Sequence, residues 1–300
     1  MAKKNEEVST VRRAKHGGIL TVIFAILSFL WIAPILIVFL NSFRRKAFFF
    51  THPFSLSCYS ITEGWDKFKA GITRAFCGWL NYSNGIRKTN LWECFGTSLF
   101  ITIGSVALII LCCSMCAWYI TRVHTKVTKT IYVLCLFSMI VPFQMVMFTL
   151  SKFANILHLS NPLGIIIVYL GFGAGLAVFM FTGFVKGISL EIEEAAMIDG
   201  CSPLQTFFKV VFPILKPTTV TVAILEAMWV WNDYLLPYLV LSSKYRTIPI
   251  AVQYLKQSHG QIDWGAMMAV LVLAILPIII FYIACQKYII EGVLAGAVKG

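Results

Sequence analysis

Residues 186–216 read KGISLEIEEAAMIDGCSPLQTFFKVVFPILK, between two apolar runs of membrane-spanning length. Ser189 is placed to cap a helix whose first turns hold Glu191, Glu193 and Glu194, where the helix dipole favours acids. Gly200 supplies a left-handed stop. Ser202-Pro203-Leu204-Gln205 then restarts the chain with Ser at N-cap, Pro at N1 and Gln at N3, a capping-box spacing. Leu204, Phe207, Phe208, Val211 and Phe212 follow at i, i+3, i+4, i+7 and i+8, which predicts one apolar face. Pro213 and Pro217 close the unit. The stretch therefore reads as a polar–acidic helix, a glycine elbow and an amphipathic helix leading back into the membrane: a re-entrant surface hairpin, or a lever that a soluble partner grips.

The rest of the chain fits that frame. Of 300 residues, 59% are hydrophobic and 13% charged, and the mean hydropathy is +0.81. Soluble domains run about 45–50% apolar and about 25% charged, so a normal soluble surface is excluded, and so is disorder. Six runs meet the length of about 20 apolar residues that a spanning helix needs: Ile19–Leu40, Phe95–Ile120, Ile131–Leu150, Leu163–Val185, Val220–Leu241 and Gly265–Cys285. The first follows Lys3, Lys4, Arg12, Arg13 and Lys15 and reads as a retained anchor. The net charge of +12 is no nucleic-acid footprint in so apolar a chain; basic residues more often flank spans on the cytoplasmic side. Lys and Arg divide almost evenly between the two faces, with a lean towards an inside N-terminus because the first span dominates orientation.

The segment 42–94 is the longest hydrophilic stretch. Phe48, Phe49, Phe50, Trp65, Phe76, Trp79, Tyr82 and Trp92 suit an interfacial cap, with a partner-docking surface as the alternative, and Asn84-Gly85 is a turn signal. Cys58, Cys77 and Cys94 could pair there, although spacing does not set connectivity. Cys112, Cys113, Cys116, Cys135 and Cys285 lie in apolar runs and act as small hydrophobes. Gly171/Gly175 and Gly183/Gly187 are GxxxG pairs that suit close helix packing.

Glu194-Ala195-Ala196, three residues, Gly200, nine residues, Val210, one residue, then Phe212-Pro213 resembles the EAA loop of ABC importer permeases, with Val for the usual Ile and Phe for the usual Leu. The wider chain resembles the six-span, maltose-type carbohydrate branch. Ser42-Phe43-Arg44 stands after span one, Val141-Pro142-Phe143-Gln144 resembles the span-three turn, and Ile198-Asp199-Gly200-Cys201-Ser202 continues the EAA loop. Trp231-Asn232-Asp233-Tyr234-Leu235-Leu236-Pro237 resembles the span-five signature, and Gly296-Ala297-Val298-Lys299-Gly300 the usual ending. The segment 68–92 is longer than the family's usual link.

The resemblance implies an all-α membrane protein of six transmembrane helices with a cytoplasmic helix-turn-helix coupling loop between spans four and five. It implies a cytoplasmic tail over 1–18, a first transmembrane helix over 19–40 and an extracytoplasmic loop over 41–94. A five-helix core over 95–290 and a cytoplasmic tail over 291–300 complete the order. The implied partners are a second homologous permease, two cytoplasmic ATPase subunits, an extracytoplasmic sugar-binding protein and the lipid bilayer. Glu191, Glu194, Ala195, Ala196, Asp199, Gly200 and Pro213 carry the implied ATPase coupling; capping and turn chemistry is the plainer role for the same residues.

Glu226, Trp229 and Asp233 share a helix face at i, i+3 and i+7. An ionised side chain mid-span costs roughly 2.5–3.5 kcal/mol on insertion scales, so it must face a cavity or a partner helix. Both remain open: a pathway wall where Trp stacks on sugar rings and carboxylates accept sugar hydroxyls, or interhelical hydrogen bonding. Gln144, Tyr169 and Asn232 are further candidate lining groups. No GxxxxGK[ST] loop, nucleophile triad or zinc spacing is present, and His16, His52, His124, His158 and His259 are scattered. No cofactor, metal or enzyme activity is expected of this chain. The remaining rivals are an importer of a non-sugar solute and an ion-coupled secondary transporter, which would show inverted repeats.

Overall fold

The computed structural model describes residues 17–49, 51–52, 54–257 and 262–297. Lys3, Lys4, Arg12, Arg13, Lys15, His16, Phe50, His259 and the Val298-Lys299-Gly300 end lie outside the described residues. Two units are distinguished, 1–81 and 82–300.

In the first unit, α1 (Gly17–Ser42) is apolar on every side, and none of its hydrophobic stretch is buried. At 1.5 Å per residue it reaches about 39 Å, enough to cross a bilayer. The following segment is tied by its polar groups. Arg44 is buried and its Nη1 donates to Asn41 Oδ1 at 3.0 Å and to the His52 carbonyl at 2.7 Å. Burial lowers the Arg44 guanidinium from its ordinary range. Asn81 Nδ2 donates to the Ser42 and Arg44 carbonyls. Ser60 and Glu63 form a capping box ahead of α2 (Trp65–Ala75). Of the aromatics expected to form an interfacial cap, Trp65, Phe76 and Trp79 are exposed, whereas Phe49 and Tyr82 are buried. The cysteines of this region are not paired: Cys58 and Cys77 are free, as is Cys94, and their thiols donate to the Gly71, Phe43 and Thr89 carbonyls. Burial also pushes the Cys77 thiol up.

The second unit opens with α3 (Leu80–Thr89), whose first two residues belong to the first unit. Asn84-Gly85 is not a turn; it lies inside this helix. A Cβ on Gly85 would sit 2.8 Å from Val270 Cγ2 and 3.0 Å from the Ala266 carbonyl, so the glycine serves close helix packing, and that need overrides its turn tendency. Then come α4 (Leu91–Arg122), α5 (Lys126–Ile140), α6 (Phe143–Ile156) and α7 (Pro162–Val185). The loop holds α8 (Leu190–Ile198), α9 (Pro203–Thr206) and α10 (Phe212–Ile214). Next are α11 (Lys216–Asn232), α12 (Leu235–Val240), α13 (Ile248–Gln257) and α14 (Trp264–Ala297).

Two expected spans are broken. The third bends by 108° between α5 and α6, because Pro142 lacks an N–H and drives Val141 out of helical conformation; Val141 has ψ 115°. The fifth, expected over Val220–Leu241, stops at Asn232. Asp233 turns extended and its Oδ1 accepts from Leu235 N and Leu236 N, capping α12.

Hydrogen bonds decide how often the chain crosses. Arg122 at the end of α4 donates to the Val185 and Ile188 carbonyls at the end of α7, so α4 and α7 run parallel. Neither α5 nor α6 alone spans the roughly 30 Å of a bilayer core; together they supply the return crossing that parallel neighbours need. Ser242 N donates to the Ser160 carbonyl, which puts the far end of α12 at the start of α7, so α11–α12 crosses back. Lys88, just before α4, pairs with Asp263 at the start of α14. That gives five crossings in this unit, and α1 makes a sixth. One core cluster joins Ile109, Cys113 and Ala117 of α4 to Val178, Phe181 and Val185 of α7 and to Phe207, Val211 and Leu215. Another joins Ile101, Ile165, Tyr169, Val230 and Leu236 towards the opposite face.

Candidate functional site

The 186–216 loop is built by its caps. The Ser189 hydroxyl accepts from Glu191 N at 3.3 Å. Gly200 has φ +85°, a conformation that L side chains avoid. Gly200 N donates to the Met197 carbonyl and Cys201 N to the Ala196 carbonyl, both at 3.0 Å, the paired bonds of a Schellman closure. Ser202 and Gln205 complete the expected capping box.

The second helix departs from expectation. Phe207–Val211 forms a π-helical turn, a widening adjacent to Pro213, whose ring would crowd the carbonyl four residues earlier in a regular helix. The widening splits the expected apolar face. Phe207, Val211 and Leu215 are fully buried, while Leu204 and Phe208 are exposed.

The α8 helix has two faces. Glu191, Glu194, Ala195 and Asp199 are exposed, and Ile198 is 86% exposed. Ala196 and Glu193 point inward, with Glu193 only 1% exposed. By sequence Glu193 is one more first-turn acid, and nothing singles out Arg122. The structure joins them. Arg122 Nε donates to Glu193 Oε1 at 3.0 Å and Oε2 at 3.1 Å, and Nη2 donates to Oε1 at 2.7 Å. Trp118 Nε1 donates to Oε2 at 2.9 Å, and the Trp118 ring packs on Phe207 at 5.5 Å. The available signal was periodicity: at 100° per residue, adjacent acids on a docked helix cannot all face solvent.

The intramembrane candidates separate into two places. Tyr169, fully buried, donates its hydroxyl to Asp233 Oδ2 at 3.0 Å, and its ring meets Trp229 edge-on at 5.4 Å. These three come together. Glu226, 2% exposed, lies instead against α7, where its Oε2 would be 2.9 Å from a Cβ on Gly173. Asp233 follows the end of α11, so the expected common face with Glu226 is not continuous. Asn232 is exposed and donates to the Met228 carbonyl of its own helix; Gln144 is exposed at the start of α6. Of the glycine pairs, Gly171 and Gly183 have no neighbour a Cβ would meet, whereas Gly175 abuts the Cys135 carbonyl and Ser138. No group of three or more His, Cys, Asp or Glu side chains suited to a metal ion occurs among the described residues.

The multi-span helical core, with α4 and α7 parallel, and its capped helix–elbow–helix loop define an integral membrane protein of the helical class. The family described as binding-protein-dependent transport system inner membrane component matches residues 109–294. The chain belongs to this family. It is 37% identical, over 94% of its length and 96% of the relative, to a protein of Thermoanaerobacterium thermosulfurigenes described as "Probable starch degradation products transport system permease protein AmyC". It is 36% identical, over 68% of its length and 76% of the relative, to the multiple sugar-binding transport system permease protein MsmG of Streptococcus mutans serotype c. The fold matches a chain in the crystal structure of a bacterial ABC transporter involved in the import of the acidic polysaccharide alginate. The TM-score is 0.69 at 21% identity, covering 96% of this chain and 99% of the other.

Proposed function

We propose that this chain is the transmembrane permease subunit of an ATP-driven importer of sugars, oligosaccharides in particular. It would form the pathway with a second homologous permease, receive sugar from an extracytoplasmic binding protein and couple through loop 186–216 to two cytoplasmic ATPase subunits. ATP hydrolysis then belongs to those subunits. In this arrangement both termini and the loop are cytoplasmic, and 41–94 is extracytoplasmic. The sugar class follows from the descriptions of the two relatives.

The observation that carries the reading is the outward face of α8. Glu194, Ala195 and Ile198 are presented to solvent on a loop whose other face is locked into the core. An unburied Ile beside acids, outside the spans, suits a helix that docks into a groove of a partner. Closing of the ATPase pair would push this helix and bias the spans between outward- and inward-open states. Tyr169, Trp229 and Asp233 are the pathway candidates brought together. The test replaces Gly200 by Val in cells carrying the complete importer. Uptake should fall while the binding protein still binds sugar; undiminished uptake would refute the coupling role.

A further inference from the structure

The loop is covalently joined to α7 and α11 but not to α4. Yet its most deeply buried charged contact is with α4, 71 residues away in sequence. We infer that Arg122, Glu193 and Trp118 form a clasp that carries movement of the loop into α4, making them positioning residues for coupling. The inference rests on the coupling role proposed above.

The Glu193 carboxylate accepts from three N–H groups, and both its oxygens are used. Arg122 Nη2 also donates to the Ile188 carbonyl at 3.0 Å and to the Val185 carbonyl at 3.4 Å, where Ile188 N donates as well. One guanidinium thus ties the ends of α4 and α7 to the first turn of α8. If the loop moved and α4 stayed, a buried carboxylate would lose its donors, which costs more than carrying the α4 end along. Phe207 against Trp118 is a second contact in the same direction. Further along α4, Ile109 packs at Gly173, where Glu226 of α11 also sits. The clasp therefore delivers displacement to the place where α4, α7 and α11 meet. It leaves Glu194 and Ile198 free for a partner, so docking and transmission use opposite faces of one short helix.

The complete importer in sealed vesicles tests this, with sugar moved per ATP hydrolysed as the readout. Glu193→Gln and Arg122→Gln should each lower that ratio roughly 3- to 30-fold, the range of single-site coupling changes. Trp118→Phe, which keeps the ring and loses the N–H, should lower it less, and Arg122→Lys should fall between. If uptake and hydrolysis drop together with the amount of assembled importer, leaving the ratio unchanged, the clasp is merely structural and the inference fails. Should both Gln variants fail to assemble, the ratio for Trp118→Phe and Arg122→Lys decides. Gly200→Val separates the two readings. A ratio lowered by it but not by the clasp variants overturns the clasp alone; a ratio lowered by neither overturns coupling through the loop.

Discussion

Helices α1 and α7 look alike by composition, since both are long, apolar on every side and without charge. Their surroundings are opposite. None of the hydrophobic stretch of α1 is buried within its unit, whereas half of that of α7 is. In lipid, an apolar side chain gains little by leaving one hydrocarbon environment for another, so packing and hydrogen bonding, rather than hydrophobicity, hold helices together. The difference lies in small residues and polar groups. Gly173 and Gly175 let Glu226 and the α5 backbone approach α7, and Tyr169 reaches Asp233. The packed core described for α7 has no counterpart in α1.

This contrast can be broken in order of expected effect. Gly175→Val should be the most damaging change, because even its Cβ would lie 2.4 Å from Met139 Cγ and 2.7 Å from the Cys135 carbonyl. A loss of about 3 kcal/mol or more is expected for overpacking against backbone, visible as loss of folded protein in a detergent melt; Gly171→Ala, with open space around it, should leave the melt unchanged. Tyr169→Phe removes the one O–H that reaches Asp233 Oδ2 and should cost about 1.5–3 kcal/mol, as expected for a hydrogen bond to a charged group. A melt indistinguishable from the parent would show that this bond does not hold α7 to the α11–α12 break. Gly85→Ala should cost about 1–2 kcal/mol by forcing Val270 aside; unaltered stability there would mean that α3 does not rest on α14 as described. Phe24→Ala, on the exposed surface of α1, should change stability by less than about 0.5 kcal/mol, and a larger loss would show that this side chain is packed in the folded protein.

The loop was the most legible part of the sequence. Ser189, Gly200 and the Ser202/Gln205 box act through bonds spanning a few residues, so residue type and spacing were enough, and the structure reproduces each of them. The run Ile131–Leu150 reads as one span, and only the resemblance of Val141-Pro142-Phe143-Gln144 to a span-three turn pointed to the place where the structure bends. Less legible was everything that depended on which side of a helix meets another element. A regular helix would keep Leu204 to Phe212 on one face, and the π-helical turn before Pro213 shifts that register. Asn84-Gly85 carried a local turn preference that close packing on α14 overruled. Glu226 and Asp233 shared a face only for as long as α11 was assumed to continue, and it ends where Asp233 turns to cap α12.

The sequence by itself determined that this is a multi-span membrane protein with a capped helix–elbow–helix loop. Backbone groups in a bilayer must be satisfied internally, which leaves long apolar helices as the solution for such runs, and caps are local. Only the tertiary structure decided that two broken runs each count as one crossing, that α4 and α7 lie parallel, and that Glu193 rather than its neighbours turns inward to Arg122. These depend on contacts between residues far apart in the chain. Periodicity says which residues share a face, but the face that finds a partner is chosen by the helix packed against it.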